Sequence, residues 1–209
     1  MKFYDCKTAP SPRRVRIFLA EKGIEIETIQ IDLSKGEQFS EAFKKISPLA
    51  EVPLLVLDDG TVLSQVNAIC HYLEEVFPDN PLCGRSPVER AQVDIFNQLL
   101  QMNGFMAGAE AFRNSTPGFK NRAMPGPHNY SQIPELAQRG LLRLDNLFAD
   151  LDAHFADNQF FMGDYYSMAD ISGLTIIDFA KWVKKSIPEN CVNLQRWYDQ
   201  VSDRPSAQA

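Results

Sequence analysis

The amino-acid sequence predicts an α/β unit over residues 1–77, followed by an all-α unit over residues 87–209. Three observations carry this. Strand and helix patterns alternate as βαβαββα as far as Phe77. The stretch "PDNPLCGRSP", with three prolines and a glycine, then interrupts the pattern in the manner of a linker. Beyond it the apolar spacing is helical, with no convincing strand.

Taken in order, "MKFYDC" reads as a short strand. "TAPSPRRVRIFLAEKG" then starts a helix, since Ser11 is a preferred N-cap and proline is favoured at the first helical position. Val15, Phe18 and Leu19 recur at helical spacing, Arg13, Arg14, Arg16 and Lys22 fall outside that stripe, and Gly23 suits the position after the end. "IEIETIQIDL" alternates with period two and predicts a second strand. "EQFSEAFKKI" predicts a short helix. "VPLLVLDDGTVLS" reads as two strands joined by a turn at Asp59-Gly60, and Gln65–Phe77 as a helix. The first βαβ unit favours parallel pairing and the hairpin an antiparallel edge. After the linker, Val88–Ala111 is helical. "NSTPGFKNRAMPGPHNY" is a long loop, of a length that is often functional. Ile133–Phe155, Ser167–Lys185 and Asn193–Ser202 complete the helices.

With 209 residues, 44% hydrophobic and 23% charged, the chain has an ordinary globular composition. Its net charge of −6 speaks against a nucleic-acid surface, which needs clustered basic charge. No run is apolar and long enough to span a membrane, and the N-terminus lacks a signal-peptide pattern. Cys6, Cys70, Cys83 and Cys191 lie far apart, as do His71, His128 and His154, so no metal site is expected. Reduced thiols and a cytoplasmic location are the simplest reading.

A cleft between two such units is the expected ligand site. A helix N-terminus attracts anions, so the residues at the start of the first helix are candidates to hold one. Ser11 is either a plain N-cap or a donor to an anion such as a thiolate.

The chain resembles the cytosolic glutathione transferase family, of bacterial type, over nearly its whole length. The match rests on "SPRRVRIFLAEKGI", on "ISPLAEVPLLVLDDGTVLSQVNAICHYLEE" and on "FFMGDYYSMADISGLTI". The resemblance implies a thioredoxin-like N-terminal domain that binds glutathione and an all-helical domain that supplies the electrophile site. It implies a cis Val52-Pro53 bond, with the valine backbone pairing with glutathione, and a capping box between Ser167 and Asp170. It further implies a homodimer that conjugates glutathione, as co-substrate, to a small hydrophobic electrophile in detoxification.

By the same resemblance, Ser11 is the catalytic donor to the thiolate, and Thr8 is the nearest alternative hydroxyl. Thr8, Ser11, Val52, Pro53, Gln65 and Val66 form the glutathione site. An electrophile site should be apolar, and Met102, Phe105 and Met106 on the helix after the linker fit it, though that helical spacing also suits a core. Five positions depart from the family pattern. Ala9 stands where several classes carry a catalytic serine or cysteine. Gln65-Val66 replaces the Glu-Ser pair that holds the γ-glutamyl end. Glu51 replaces a basic residue, and Phe39 a histidine, both donors to the glycyl end. These losses keep two rivals open: a non-catalytic binding or regulatory protein, and another glutathione-dependent activity such as isomerisation or peroxide reduction.

Overall fold

The computed structural model describes residues 1–209. Strand β1 (Lys2–Asp5) leads through helix α1 (Pro10–Lys22) to β2 (Glu27–Gln30). The pair is parallel, with Phe3 opposite Thr28. Short α2 (Glu41–Lys44) precedes the hairpin of β3 (Leu54–Val56) and β4 (Val62–Ser64), and α3 (Val66–Val76) closes the domain. The sheet order is β2-β1-β3-β4, with β3 antiparallel to both its neighbours. This is the thioredoxin-like arrangement implied above.

The helical domain comprises α4 (Pro87–Leu100), α5 (Met106–Ser115), α6 (Pro134–Asp157), α7 (Met168–Ala180) and α8 (Val192–Ser202). One hydrophobic core runs through both domains, from Phe3, Phe18, Leu55 and Ile69 to Leu144, Phe148, Phe155, Ile176 and Trp197. Helix α1 joins them. Arg13 pairs with Asp178 at 2.6 Å and donates to the carbonyl of Ala207. Glu21 accepts two 2.7 Å bonds from Arg204 and one from the Ser206 hydroxyl. These contacts fix both ends of α1 against the helical domain.

Four expected elements differ. The second strand is only Glu27–Gln30, because only these residues pair with β1. The expected helix over "EQFSEAFKKI" breaks at Ser40, whose hydroxyl caps the Phe43 amide at 3.2 Å; a 3-10 turn over Glu37–Phe39 precedes it. Helix α7 stops at Ala180 and continues as a 3-10 turn over Lys181–Val183. The expected helix over Val88–Ala111 is two α-helices joined by a π-helical turn, Gln101–Phe105. That turn changes which side chains face inward, since its residues advance at a different angle from those of an α-helix.

Candidate functional site

Helix α1 starts differently from the expectation. Pro10 occupies the first helical position, where its fixed φ fits and its missing N–H costs nothing. The N-cap is therefore Ala9, in extended conformation with no side-chain cap bond. Ser11 is the second helical residue and is not the cap. Because Pro12 also lacks an N–H, Ser11 brings the only amide donor of the first three helical positions. Its hydroxyl is half-buried and lines a cleft of about 550 Å³, within the range usual for small-molecule sites.

The N-terminal domain supplies most of this cleft. Val52 and Pro53 line it, and the bond between them is cis. The loop is pinned from behind: the Glu51 amide donates to the buried Ser47 hydroxyl at 3.2 Å. Gln65 and Val66 bring in the start of α3. Gln65 has φ of 69°, a region costly for a residue with a side chain, and such strain gathers at functional sites. Its amide donates to the Glu51 carboxylate at 3.2 Å, so two of the family-departing residues are engaged with each other. Thr8 is exposed and stands outside the cleft lining, with its hydroxyl 3.5 Å from the Cys6 sulfur.

The helical domain supplies Gln98 and Gln101, then Arg113 of α5 and Arg122, Pro125 and Gly126 of the long loop. Met102, Phe105 and Met106 are not part of that lining. Met102 and Met106 point outward and are exposed, whereas Phe105 is buried. Gln101, the first residue of the π-helical turn, does line the cleft.

Arg14 was expected on the outer face of α1 and is instead 4% exposed. One guanidinium nitrogen donates to Gln101 Oε1 at 3.3 Å, and the group sits 3.9 Å over the Phe105 ring. Its Nε has no partner in the protein. Burial pushes its pKa down to about 10, with the nearby Cys70 thiol acting the other way. Arg113 and Arg122 are partly buried, and their guanidinium groups bond to carbonyl and amide oxygens rather than to carboxylates. Glu51 is the only acidic residue in the cleft lining, against three arginines. The cleft is thus locally cationic in a chain of net charge −6.

Two family models match the sequence: "Glutathione S-transferase, N-terminal domain" over residues 8–76 and "Glutathione S-transferase, C-terminal domain" over residues 121–205. Glutathione S-transferase 2 of Saccharomyces cerevisiae is 31% identical over 99% of this chain and 87% of its own length. The chain belongs to the glutathione S-transferase family. The solved structure of a glutathione S-transferase domain-containing protein from Marinobacter aquaeolei VT8 superposes with a TM-score of 0.90 at 35% identity, covering 99% of both chains. Maleylacetoacetate isomerase of Rattus norvegicus is 44% identical over 42% of this chain and 41% of its own.

Glutathione is the co-substrate of this family, and its members' activity is glutathione-dependent. No group of three or more His, Cys, Asp or Glu side chains is placed to hold a metal ion. No helix is long and apolar enough to cross a membrane.

Among the cleft residues, Arg14, Gln98, Gln101, Arg113 and Arg122 carried no individual signal in the sequence. The length of the loop after α5 was the one available pointer, and Arg122 lies in it.

Proposed function

We propose that the chain is a glutathione transferase. Residues 1–77 hold glutathione, and residues 87–209 close the other side of the cleft and admit the electrophile. The observation that carries the reading is the convergence of Ser11, the Val52-Pro53 loop and the Gln65–Val66 start of α3 on one cleft. Ser11 offers its hydroxyl and its amide to the glutathione sulfur. The buried Arg14 guanidinium, one helical turn along, adds a positive charge in a medium where charge acts strongly. A thiol of pKa about 8.5 is mostly protonated at neutral pH. Lowering it by about two units requires roughly 2.7 kcal/mol of preference for the anion. A hydroxyl hydrogen bond to an anion and a nearby buried cation are of that size together. The thiolate then attacks an electrophilic carbon; a C–S bond forms and the leaving group departs with its electron pair.

The electrophile side is more polar than Met102, Phe105 and Met106 suggest, since Gln98, Gln101, Arg113 and Arg122 line it. That observation, with the partial likeness to an isomerase, favours glutathione-dependent isomerisation of an acidic compound as the second reading. Retention on immobilised glutathione, followed by parallel conjugation and isomerisation assays, tests both readings. A chain that is retained but inactive in both assays is a binding protein.

A homodimer fits the same reading. Ile95 and Leu99, one turn apart on α4, are exposed, as are Met102 and Met106 beyond it, and exposed apolar side chains of this kind can mark an association surface. Light scattering at micromolar concentration should give twice the chain mass, and Leu99→Lys should give a monomer. A wild-type monomer removes the dimer. Four free cysteines accord with a reducing, cytoplasmic setting.

A further inference from the structure

Two cleft arginines are unusual in their company. Arg113 and Arg122 both come from the helical domain, and neither has a carboxylate partner. Arg113 spends its donors on the carbonyls of Arg122, Ala123 and Met124, at 2.5, 3.3 and 3.0 Å. These bonds fix the backbone that carries Arg122. Arg122 in turn bonds the carbonyl of Gly126 at 2.7 Å and the Asn129 side chain at 3.1 Å. Its guanidinium lies over the Phe39 ring, 4.2 Å from the centroid. Burial lowers the Arg113 pKa, and the neighbouring Arg122 charge lowers it further. Two like charges are therefore held close, one of them on an aromatic platform, with no anion from the protein between them. Gly126 brings the same loop beside the Leu49 carbonyl, next to the segment that carries Glu51, Val52 and Pro53.

Glutathione has two carboxylates. Its γ-glutamyl end is assigned to the Gln65–Val66 start of α3, which leaves the glycyl carboxylate to be placed. The residues that would meet it on the N-terminal domain are Glu51 and Phe39, one repulsive and one without a donor. We infer that Arg122 binds the glycyl carboxylate of glutathione, reaching from the helical domain over the Phe39 ring. Arg113 is a positioning residue that holds the Arg122 backbone and adds charge. The cation has moved from one domain to the other. A consequence is that glutathione, once bound, ties the two walls of the cleft together. This inference rests on the glutathione reading above and adds the group that recognises one end of the tripeptide.

The test uses the full chain, titrated calorimetrically with glutathione and with its glycyl ethyl ester, in which that carboxylate is replaced by a neutral ester. Wild-type protein should bind glutathione about tenfold or more tightly than the ester, the size of one charge-assisted bond. Arg122→Gln should bind both equally, at the wild-type affinity for the ester, and Arg122→Lys should fall between. Arg113→Gln should weaken glutathione binding without changing the affinity for the ester, which a merely structural defect would also lower. Equal binding of the two ligands by wild-type protein overturns this inference alone and leaves the transferase reading standing. So does a preference that survives in Arg122→Gln. Failure of wild-type protein to bind glutathione at millimolar concentration overturns the transferase reading and this inference with it. The comparison of ligands on unaltered protein does not depend on any variant folding.

Discussion

Helices α1 and α7 each begin next to a serine and bury a charged side chain in their first turns, yet the two starts are built for different ends. At α7, Ser167 is the N-cap. Its hydroxyl accepts from the Ala169 amide at 3.3 Å and donates to Asp170. Asp170, fully buried, also accepts from the Ser167 and Phe161 amides at 2.9 and 3.1 Å and from Trp197 Nε1 at 2.9 Å. Every side-chain oxygen of Ser167 and Asp170 finds a partner within the protein. At α1, Ala9 caps with no side chain, Ser11 makes no side-chain bond to the protein, and the buried Arg14 keeps an unpartnered Nε. Buried polar groups are normally satisfied. A start that satisfies itself serves the fold; the α1 start leaves the Ser11 hydroxyl unbonded beside the cleft, as the proposed glutathione site requires.

The largest expected effect lies at α7. Asp170→Ala removes the acceptor of three buried N–H donors, and at about 1–3 kcal/mol for each unsatisfied group the loss should reach several kcal/mol. Thermal or denaturant unfolding measures it, and a loss below about 1 kcal/mol would break the contrast between the two helices. The same carboxyl gives a pH signature. Burial raises it from 3.8 to about 6, against the pull of the Trp197, Phe161 and Ser167 donors. A carboxyl that titrates higher folded than unfolded binds its proton preferentially in the native state. Its contribution to stability therefore falls as pH rises from about 4 to about 6, and is level above that. The difference in melting temperature between wild type and Asp170→Asn should shrink across that window.

Next in size is Ser11→Ala. Loss of a donor to an anion lowers turnover by roughly 10²-fold, and because Ser11 is not the cap, stability should stay within about 0.5 kcal/mol. Conjugation rates per molecule and a melting curve read both. A lower melting temperature with unchanged turnover would make Ser11 structural. Thr8→Ala should change neither, since Thr8 stands outside the cleft.

The smallest effect sharpens the contrast. Arg14→Met removes a buried charge that has no carboxylate to offset its desolvation, so the melting temperature should hold or rise. The pKa of bound glutathione should rise by about one unit, or roughly 1.4 kcal/mol, read from the ultraviolet absorbance of the thiolate. A destabilised protein with an unchanged thiol would assign Arg14 to the fold.

Much of this was legible beforehand, and the reason differs with the residue. The four strands, Gly23 at the end of α1 and the turn at Gly60 follow from signals a few residues long, and the Ser167–Asp170 box from the family resemblance. Backbone sterics and capping chemistry act at that range. Ser11 was misread as a cap because Pro10 and Pro12, on either side of it, offer two registers for a helix start. Pro10 takes the first helical position because its own φ already suits it. Met102 and Met106 were read at α-helical spacing, and the π-helical turn shifted that spacing out of phase.

The sequence by itself determined the order of elements, the class of each domain and the family, because these rest on local periodicity and on motifs contiguous in the chain. Only the tertiary structure decided which residues share the cleft. Arg14, Gln101, Phe39, Arg113 and Arg122 are brought together by the packing of α1 against α7 and by a loop folded back over the other domain. A guanidinium in the sequence looks the same whether a carboxylate neutralises it or not. Whether it has a partner is fixed by neighbours up to a hundred residues away, and in this cleft none of the three has one.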